Sequence, residues 1–212
     1  MERSSSLARL RLVTPVAAPD LDDVELVRAF TSGEDWAARA IWMRHAPMVH
    51  RLLERTLGPS ADVDDLIQDV FLSIFTRIPT LRDPGAFRSF IYSIALRRLR
   101  WELRRRRVRQ ILRLSPTGRP PEIPVRAADS EARQLLTRFY RLLDQLGANE
   151  RTAFVLRHME EFKLEEVSEQ MGVSLATVKR WLRRGSQKVS ALVDADPGLS
   201  SYLRERGMLD AR

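Results

Sequence analysis

The stretch LEEVSEQMGVSLATVKRWLRR, residues 164–184, decides the fold of the C-terminal part of this chain. Leu164, Val167 and Met171 recur at intervals of three and four residues, so they share one face of a helix. Gly172 follows directly, and glycine readily takes the left-handed conformation that ends a helix. The pattern predicts a short helix followed by a tight turn.

A second helix is expected to begin after Ser174, which is a good N-cap residue. Val178 and Leu182 then lie on its inner face, and the predicted outward positions are Thr177, Lys179, Arg180, Arg183 and Arg184. An ordinary surface hairpin with a solvated charged face is the alternative. Cap, turn, apolar stripe and cations agree in register, however, and this favours a helix-turn-helix, which places its second helix in the major groove of duplex DNA.

Composition limits the remaining possibilities. The 212 residues carry a formal net charge of +8, and this basic balance favours a polyanion, nucleic acid before an acidic membrane. The absence of cysteine excludes disulfides and cysteine-ligated metal centres, and fits a cytoplasmic protein. No apolar run approaches the length of about 20 residues that a membrane span needs, so direct membrane insertion is not expected.

Helical periodicity dominates, so the predicted fold class is all-α, with two small helical domains joined by a proline-rich linker. The first helix is expected to be capped by Asp20. The predicted units are a leader at 1–19, a first domain at 20–110, a linker at 111–129, a second domain at 130–195 that forms a three- to four-helix bundle around the helix-turn-helix, and a tail at 196–212.

The helix predicted at about 63–78 begins with acidic residues. Asp62, Asp64 and Asp65 suit a helix N-terminus, because its dipole favours negative charge there. Asp69 lies beyond the first turn, so the dipole explains it less well. These acids leave a second reading open, a metal site of the kind a nuclease uses.

After a short loop, Asp83 and Pro84 predict the start of another helix, which ends in a long run of arginines. These arginines can neutralise phosphates, and aromatic side chains among them can stack on unpaired bases. Phe87 and Phe90 suit the core better than a stacking surface, whereas Tyr92 and Trp101 could serve either role. The alternative for the arginine run is a solvated face.

Motifs for catalysis are missing from the sequence. The histidines at 45, 50 and 158 form no metal-binding pair, and neither a Walker loop nor a dinucleotide-binding glycine pattern occurs. We therefore expect no enzyme activity, no metal and no cofactor.

Taken together, these motifs resemble the bacterial sigma-70 family of RNA polymerase sigma factors, and within it the extracytoplasmic-function group. The sequence DDLIQDVF at 64–71 resembles region 2.2, residues 83–107 resemble regions 2.3 and 2.4, and residues 131–189 resemble region 4. Regulators of the LuxR type also carry a similar terminal helix-turn-helix. The order and spacing of both halves point to the sigma factors.

The resemblance implies a role for each matching residue. Contacts to core RNA polymerase, through the β′ clamp helices, fall to Asp64, Asp65, Gln68, Asp69 and Phe71. Contacts to the −10 element, including its separated strand, fall to Thr80, Leu81, Arg82, Arg88, Tyr92, Arg97, Arg98 and Trp101. Contacts to the −35 duplex fall to Ser174, Thr177, Lys179, Arg180, Trp181, Arg183 and Arg184.

Two departures from the family pattern concern DNA. FIYSIALR at 90–97 stands where the family commonly has WLYRIARN, so an aromatic is kept but the tryptophan, one arginine and the asparagine are not. Trp181 replaces an arginine that faces DNA in the family, and it could stack on DNA or turn into the core.

The expected function is promoter recognition and assistance in promoter melting. Core RNA polymerase, through its β′ clamp helices and β flap, and promoter DNA are the expected partners, and an anti-sigma factor is a further one implied by the family. The first alternative is a helix-turn-helix regulator that binds duplex DNA without polymerase. The second is a metal-dependent nuclease.

Overall fold

The computed structural model of the chain describes residues 21–58, 63–113 and 131–205. These residues form α-helices and two 3₁₀ turns with no strand among them, which confirms the predicted all-α class. The predicted leader, residues 114–129 of the predicted linker and Asp62 lie outside the described residues. In chain order the helices are α1 (Asp23–Thr31), α2 (Ala37–Leu57), α3 (Asp64–Arg77), α4 (Phe87–Arg113), α5 (Glu131–Leu143), α6 (Ala148–His158), α7 (Leu164–Met171), α8 (Leu175–Asp194) and α9 (Pro197–Glu205).

The start of α1 differs from the sequence-based expectation, because Asp22 rather than Asp20 caps it. The Asp22 carboxylate accepts from the Glu25 backbone N–H at 2.8 Å, and the Glu25 carboxylate accepts from the Asp22 backbone N–H at 2.8 Å. This reciprocal capping box satisfies two backbone donors at once. Asp20 has no glutamate or glutamine three residues later, so it could not form the same box.

The connection from α3 to α4 orders the loop predicted to meet the −10 element. One 3₁₀ turn (Ile78–Thr80) continues α3, and a second (Pro84–Ala86) leads into α4. Asp83 caps this second turn as predicted, since its carboxylate accepts from the Gly85 backbone N–H at 2.9 Å. Helix α4 then runs without interruption for 27 residues, which extends it to Arg113, three residues past the predicted boundary at 110.

The helix-turn-helix forms where the sequence predicts it. Gly172 ends α7 in the left-handed conformation with φ of 65°, and the Ser174 hydroxyl accepts from the Thr177 backbone N–H at 3.3 Å to start α8. Val173 is partly buried against the core between the two helices. Beyond α8 the chain forms α9, which packs against α5 and α8, where the sequence predicts only a tail.

Two clusters of buried apolar side chains hold these helices together. The larger one fills the space between α1, α2, α3 and α4 and continues without a gap into α6, α7 and α8. The smaller one joins α5, α6, α8 and α9. Helices α1–α4, here called the N-terminal half, therefore pack directly against helices α5–α9, the C-terminal half.

Candidate nucleic-acid interface

The outer face of α8 presents four of the predicted −35 contacts to solvent. Lys179, Arg180, Arg183 and Arg184 are all exposed. Val178 and Leu182 are buried on the opposite face, as the apolar stripe predicts. The amphipathic division of α8 thus fixes one basic surface, suited to the phosphates and bases of a major groove.

The remaining −35 candidates lie at the edge of this surface. Ser174 is exposed and its hydroxyl lies 3.0 Å from that of Thr177, which is half-buried. Trp181 is also half-buried, with part of its ring packed against the larger apolar cluster. Trp181 therefore combines the two alternatives. One part of its side chain packs against the core, and another part is exposed to solvent.

The acidic start of α3 forms a second exposed surface. Asp64, Asp65, Gln68 and Asp69 are exposed on one side of the helix. The Asp69 carboxylate lies 3.3 Å from the Arg98 guanidinium of α4, so a predicted polymerase contact and a predicted −10 contact form an ion pair with each other.

Phe71 requires a correction. Its side chain is only 1% exposed and its ring lies 4.5 Å from that of Trp42, so Phe71 is a core residue and offers no contact surface. The next residue, Leu72, is 65% exposed on the same helix. Leu72 carries no local sequence signal, because the repeat of three and four residues accounts for Phe71 and gives no position to an exposed leucine.

The loop before α4 carries the next group of predicted −10 contacts. Thr80 and Arg82 are exposed, and the Thr80 hydroxyl donates to the Arg77 carbonyl at 2.7 Å. Leu81 is half-buried and packs against the larger cluster. It therefore anchors the loop, and only part of its side chain is available to a partner. The two 3₁₀ turns and the Asp83 cap supply this loop with local hydrogen bonds.

Helix α4 places the other −10 candidates along its length. Arg88, Arg97 and Trp101 are exposed, and Arg98 is half-buried. The Arg105 guanidinium lies over the Trp101 ring at 5.3 Å from its centroid, a cation–π arrangement. Arginine and an aromatic ring therefore share one exposed surface, as binding to phosphates and unstacked bases requires.

Tyr92 does not share that surface. It is 5% exposed because Phe162, in the turn between α6 and α7, covers it at a ring separation of 5.1 Å. Burial raises the pKa of the Tyr92 hydroxyl, and the charge of Glu160 raises it further, while Arg88 acts in the opposite sense. Of the two roles left open for Tyr92, the structure shows the buried one, so the predicted −10 contact is corrected to a ring enclosed between the two halves.

Polar contacts accompany this covering. The Gln170 side-chain amide of α7 donates to the Ser89 hydroxyl of α4 at 2.7 Å, and the Arg100 guanidinium donates to the Met171 carbonyl at 3.4 Å. The Arg55 guanidinium of α2 pairs with Glu160 at 2.9 Å. None of these residues was predicted to join the halves, since no local pattern identifies a contact between positions 70 to 105 residues apart.

The described residues offer neither a metal-binding cluster nor a membrane-spanning helix. In the described part of the chain, no group of three or more histidine, cysteine, aspartate or glutamate side chains converges to hold a metal ion. Asp62, one of the acids considered for such a site, lies outside the described residues. No described helix combines the length and apolarity required to cross a membrane.

Comparison with known proteins agrees with this arrangement. Residues 41–109 match the family model for sigma-70 region 2, and residues 136–189 match that for sigma-70 region 4. The chain is 31% identical to the ferric citrate uptake sigma factor FecI of Escherichia coli over 68% of its own length and 84% of that protein. It is 28% identical to the extracytoplasmic-function RNA polymerase sigma factor SigM of Mycobacterium tuberculosis, over 81% of this chain and 84% of the relative.

A solved structure is similar as well. CnrH, in complex with the cytosolic domain of CnrY, superposes with a TM-score of 0.57 and 26% identity, covering 82% of this chain and 98% of that one. The region 2 match contains the acidic α3 and most of the basic α4, and the region 4 match that follows it contains the helix-turn-helix. The chain is therefore a member of the sigma-70 family of RNA polymerase sigma factors, in its extracytoplasmic-function group.

Proposed function

We propose that this protein binds core RNA polymerase through α3, reads the −35 element with α8, and opens the −10 element with α4 and the loop before it. The observation that carries the proposal is the presence on one chain of an exposed acidic face at the start of α3 and an exposed basic face on α8. A regulator that binds DNA alone needs only the second face. A factor that joins polymerase to promoter DNA needs both.

The proposed polymerase-binding face consists of Asp64, Asp65, Gln68 and Asp69, extended by Leu72. Leu72 follows Gln68 by one helical turn, so the two side chains lie on the same side of α3. Carboxylates with an exposed leucine beside them suit a partner surface that combines cations with an apolar contact. Phe71 supports this face from beneath and is not part of it.

The proposed DNA contacts divide by kind. Lys179, Arg180, Arg183 and Arg184 approach duplex DNA, and the half-exposed ring of Trp181 lies beside them, where it replaces a charged contact with an apolar one. Arg88, Arg97, Arg98 and Trp101, with Thr80 and Arg82, form the −10 surface. Leu81 and Tyr92 complete that surface from within, Tyr92 only after Phe162 moves away.

Two further features of the proposal follow from the relatives. The structure of CnrH contains the cytosolic domain of CnrY, and a sigma factor from Bartonella quintana was solved with the anti-sigma factor NepR. We infer that an anti-sigma factor also binds this chain. The protein would act in the cytoplasm, associated with the nucleoid when bound to polymerase, and would contribute no catalytic step, metal or cofactor.

Binding to core polymerase tests the acidic face directly. The double variant Asp65→Ala/Asp69→Ala should lose affinity for purified core polymerase and lose promoter-dependent transcription in vitro. The matched control is Glu34→Ala/Asp35→Ala, which removes two exposed acids from the loop between α1 and α2. Equal affinity of both variants for polymerase would overturn the assignment of α3.

The same assay separates the proposal from the first alternative. A regulator of the helix-turn-helix class would bind a specific duplex as tightly without polymerase as with it. The sigma factor proposed here should select a promoter from a random library only when core polymerase is present, because neither DNA surface alone supplies a full promoter contact. Selection of the same sequences by the isolated chain would favour the regulator.

A further inference from the structure

A small cavity lies where the two halves of the chain meet, between the end of α2, the basic part of α4 and the start of α6. Its volume is about 40 Å³. Leucine side chains form its apolar wall, and its charged lining consists of Arg106, Arg107, Arg151 and Asp144. Three positive charges therefore surround this space against one negative charge.

Arg151 is the buried member of this lining. It is 3% exposed, and its Nε donates to the Thr56 carbonyl at the end of α2 at 2.6 Å, while its Nη1 pairs with Asp144. Its Nη2 is buried and has no hydrogen-bond partner within the described part of the chain. A buried guanidinium nitrogen without an acceptor is unfavourable, and arginine cannot relieve this by losing its proton.

The acids nearby compensate this charge only in part. The Asp144 side chain is 54% exposed, so water screens much of its attraction for Arg151. Glu102, the acid nearest to Arg106, holds that side chain at 2.9 Å but is shared with Arg105 and Arg109. Burial lowers the pKa of Arg151, and the charge of Arg106 acts in the same direction. The junction thus keeps an excess of positive charge.

We propose that this cavity binds a small inorganic anion that accepts a hydrogen bond from Nη2 of Arg151, with Arg106 and Arg107 at its rim. A cavity needs about 10–15 Å³ of such space to hold one water molecule, so this one has room for a small anion. A halide such as chloride is the simplest ligand of that size. Because α2, α4 and α6 all reach the cavity, the anion joins the two halves. This inference does not depend on the proposed function.

Thermal unfolding of the full chain tests the site in solution. At constant ionic strength, replacing the bulky anion gluconate by chloride should raise the unfolding midpoint in a saturable manner, since only the folded protein holds the site. Arg106→Gln/Arg107→Gln should weaken the apparent chloride affinity roughly tenfold, the scale expected for losing a charge-assisted contact. Both side chains reach solvent, so this variant should fold.

The matched control is Lys179→Gln/Arg183→Gln, which removes the same charge from the exposed face of α8 and should leave the chloride affinity unchanged. An equal loss in both variants, or a midpoint that does not respond to chloride in the unmodified protein, would overturn the proposal.

Crystals grown in sodium bromide provide a direct position for the ion, because bromide scatters anomalously. The expected result is a peak within hydrogen-bond distance of Nη2 of Arg151. Peaks confined to surface arginines would mean an adventitious ion only, and a water molecule at Nη2 under the same conditions would equally refute the site.

Discussion

The ring of Phe162 packs edge-on against the ring of Tyr92, with their centroids 5.1 Å apart and their planes inclined at 64°. Tyr92 belongs to α4 and Phe162 to the turn that precedes α7, so this contact joins the surface proposed for −10 opening to the helix-turn-helix half. Glu160, in the same turn, pairs with Arg55 of α2. The proposed −35 face on α8 stays exposed in this arrangement, whereas part of the proposed −10 face is covered.

Removing the Phe162 ring should uncover Tyr92. Full burial of a phenylalanine side chain contributes about 1.5–3 kcal/mol, and Phe162 is only half-buried, so Phe162→Ala should weaken the packing of the two halves by about 1 kcal/mol. Such a change raises the fraction of molecules in which the two halves have separated roughly fivefold. The apparent affinity for single-stranded −10 DNA rises with that fraction. Fluorescence anisotropy with a labelled single strand measures this directly.

Phe75→Ala is the control for that experiment. Phe75 is half-buried and stacks on Phe30 at 5.5 Å within the N-terminal half, so its loss costs similar packing without uncovering Tyr92. Single-strand binding that rises equally in both variants, or in neither, would contradict a covering role for Phe162.

The Tyr92 hydroxyl offers a second measure of the same contact. Burial raises its pKa above the ordinary value of 10.0, so the contact favours the neutral phenol. Its stabilising effect is fully present below pH 10.0 and is lost as the pH rises through the raised pKa. In the Phe162→Ala variant, titration of tyrosinate absorbance should show one tyrosine returning toward its ordinary pKa. A Tyr92→Phe variant identifies that step by its loss, and an unshifted titration would mean that the enclosure persists without Phe162.

Local features of this fold are largely present in the sequence. Gly172 and Ser174 mark the turn and cap of the helix-turn-helix because a left-handed residue and an N-cap depend on one or two side chains and their near neighbours. The same holds for Asp83 before Pro84. Asp20 was wrong as a cap because Asp22 and Glu25 form a better, reciprocal pair two residues later.

The packing of one half on the other could not be predicted in this way. Met171 fits the apolar stripe of α7 and Arg100 fits the arginine run of α4. Neither local pattern indicates that the two residues are in contact. Phe71 shows the same limit within one helix, since its aromatic type suited a partner surface while its position in the apolar stripe placed it in the core. Whether such a residue faces the core or a partner surface depends on packing between segments that are distant in the sequence.

His45 predicts a pH dependence of stability. It is 5% exposed, its Nε2 lies 3.0 Å from the Asp23 carboxylate, and its ring meets the edge of Phe87. Burial lowers the pKa of His45 below 6.5 despite the opposing effect of Asp23. The neutral imidazole therefore stabilises the fold above pH 6.5, and this contribution is lost as the pH falls through the lowered pKa.

Urea unfolding between about pH 7 and about pH 5 checks this prediction, since His45 should then be gaining a proton more readily in the unfolded chain. His45→Gln should unfold more easily at neutral pH but lose less stability on acidification than the unmodified protein. His50→Gln is the control, because His50 is exposed and lies 3.6 Å from Glu54. If the pH dependence of stability flattened in His50→Gln and not in His45→Gln, then His50 and not His45 would be its source.

Gly185 predicts that α8 can be stabilised without altering the exposed face that is proposed to contact DNA. It is buried in the interior of α8, where glycine costs roughly 0.5–1 kcal/mol relative to alanine. A methyl group at this position would meet the Glu150 carbonyl at 3.8 Å and its Cβ at 3.9 Å, ordinary van der Waals distances. Gly185→Ala should therefore raise the free energy of unfolding by about 0.5–1 kcal/mol, as urea denaturation measures it.

Gly172→Ala is the opposite case, because φ is 65° there, and it should lower that free energy by about 1 kcal/mol despite open space around the new methyl group. If both alanines destabilised the protein equally, close approach of α6 to α8 rather than helix propensity would govern residue 185.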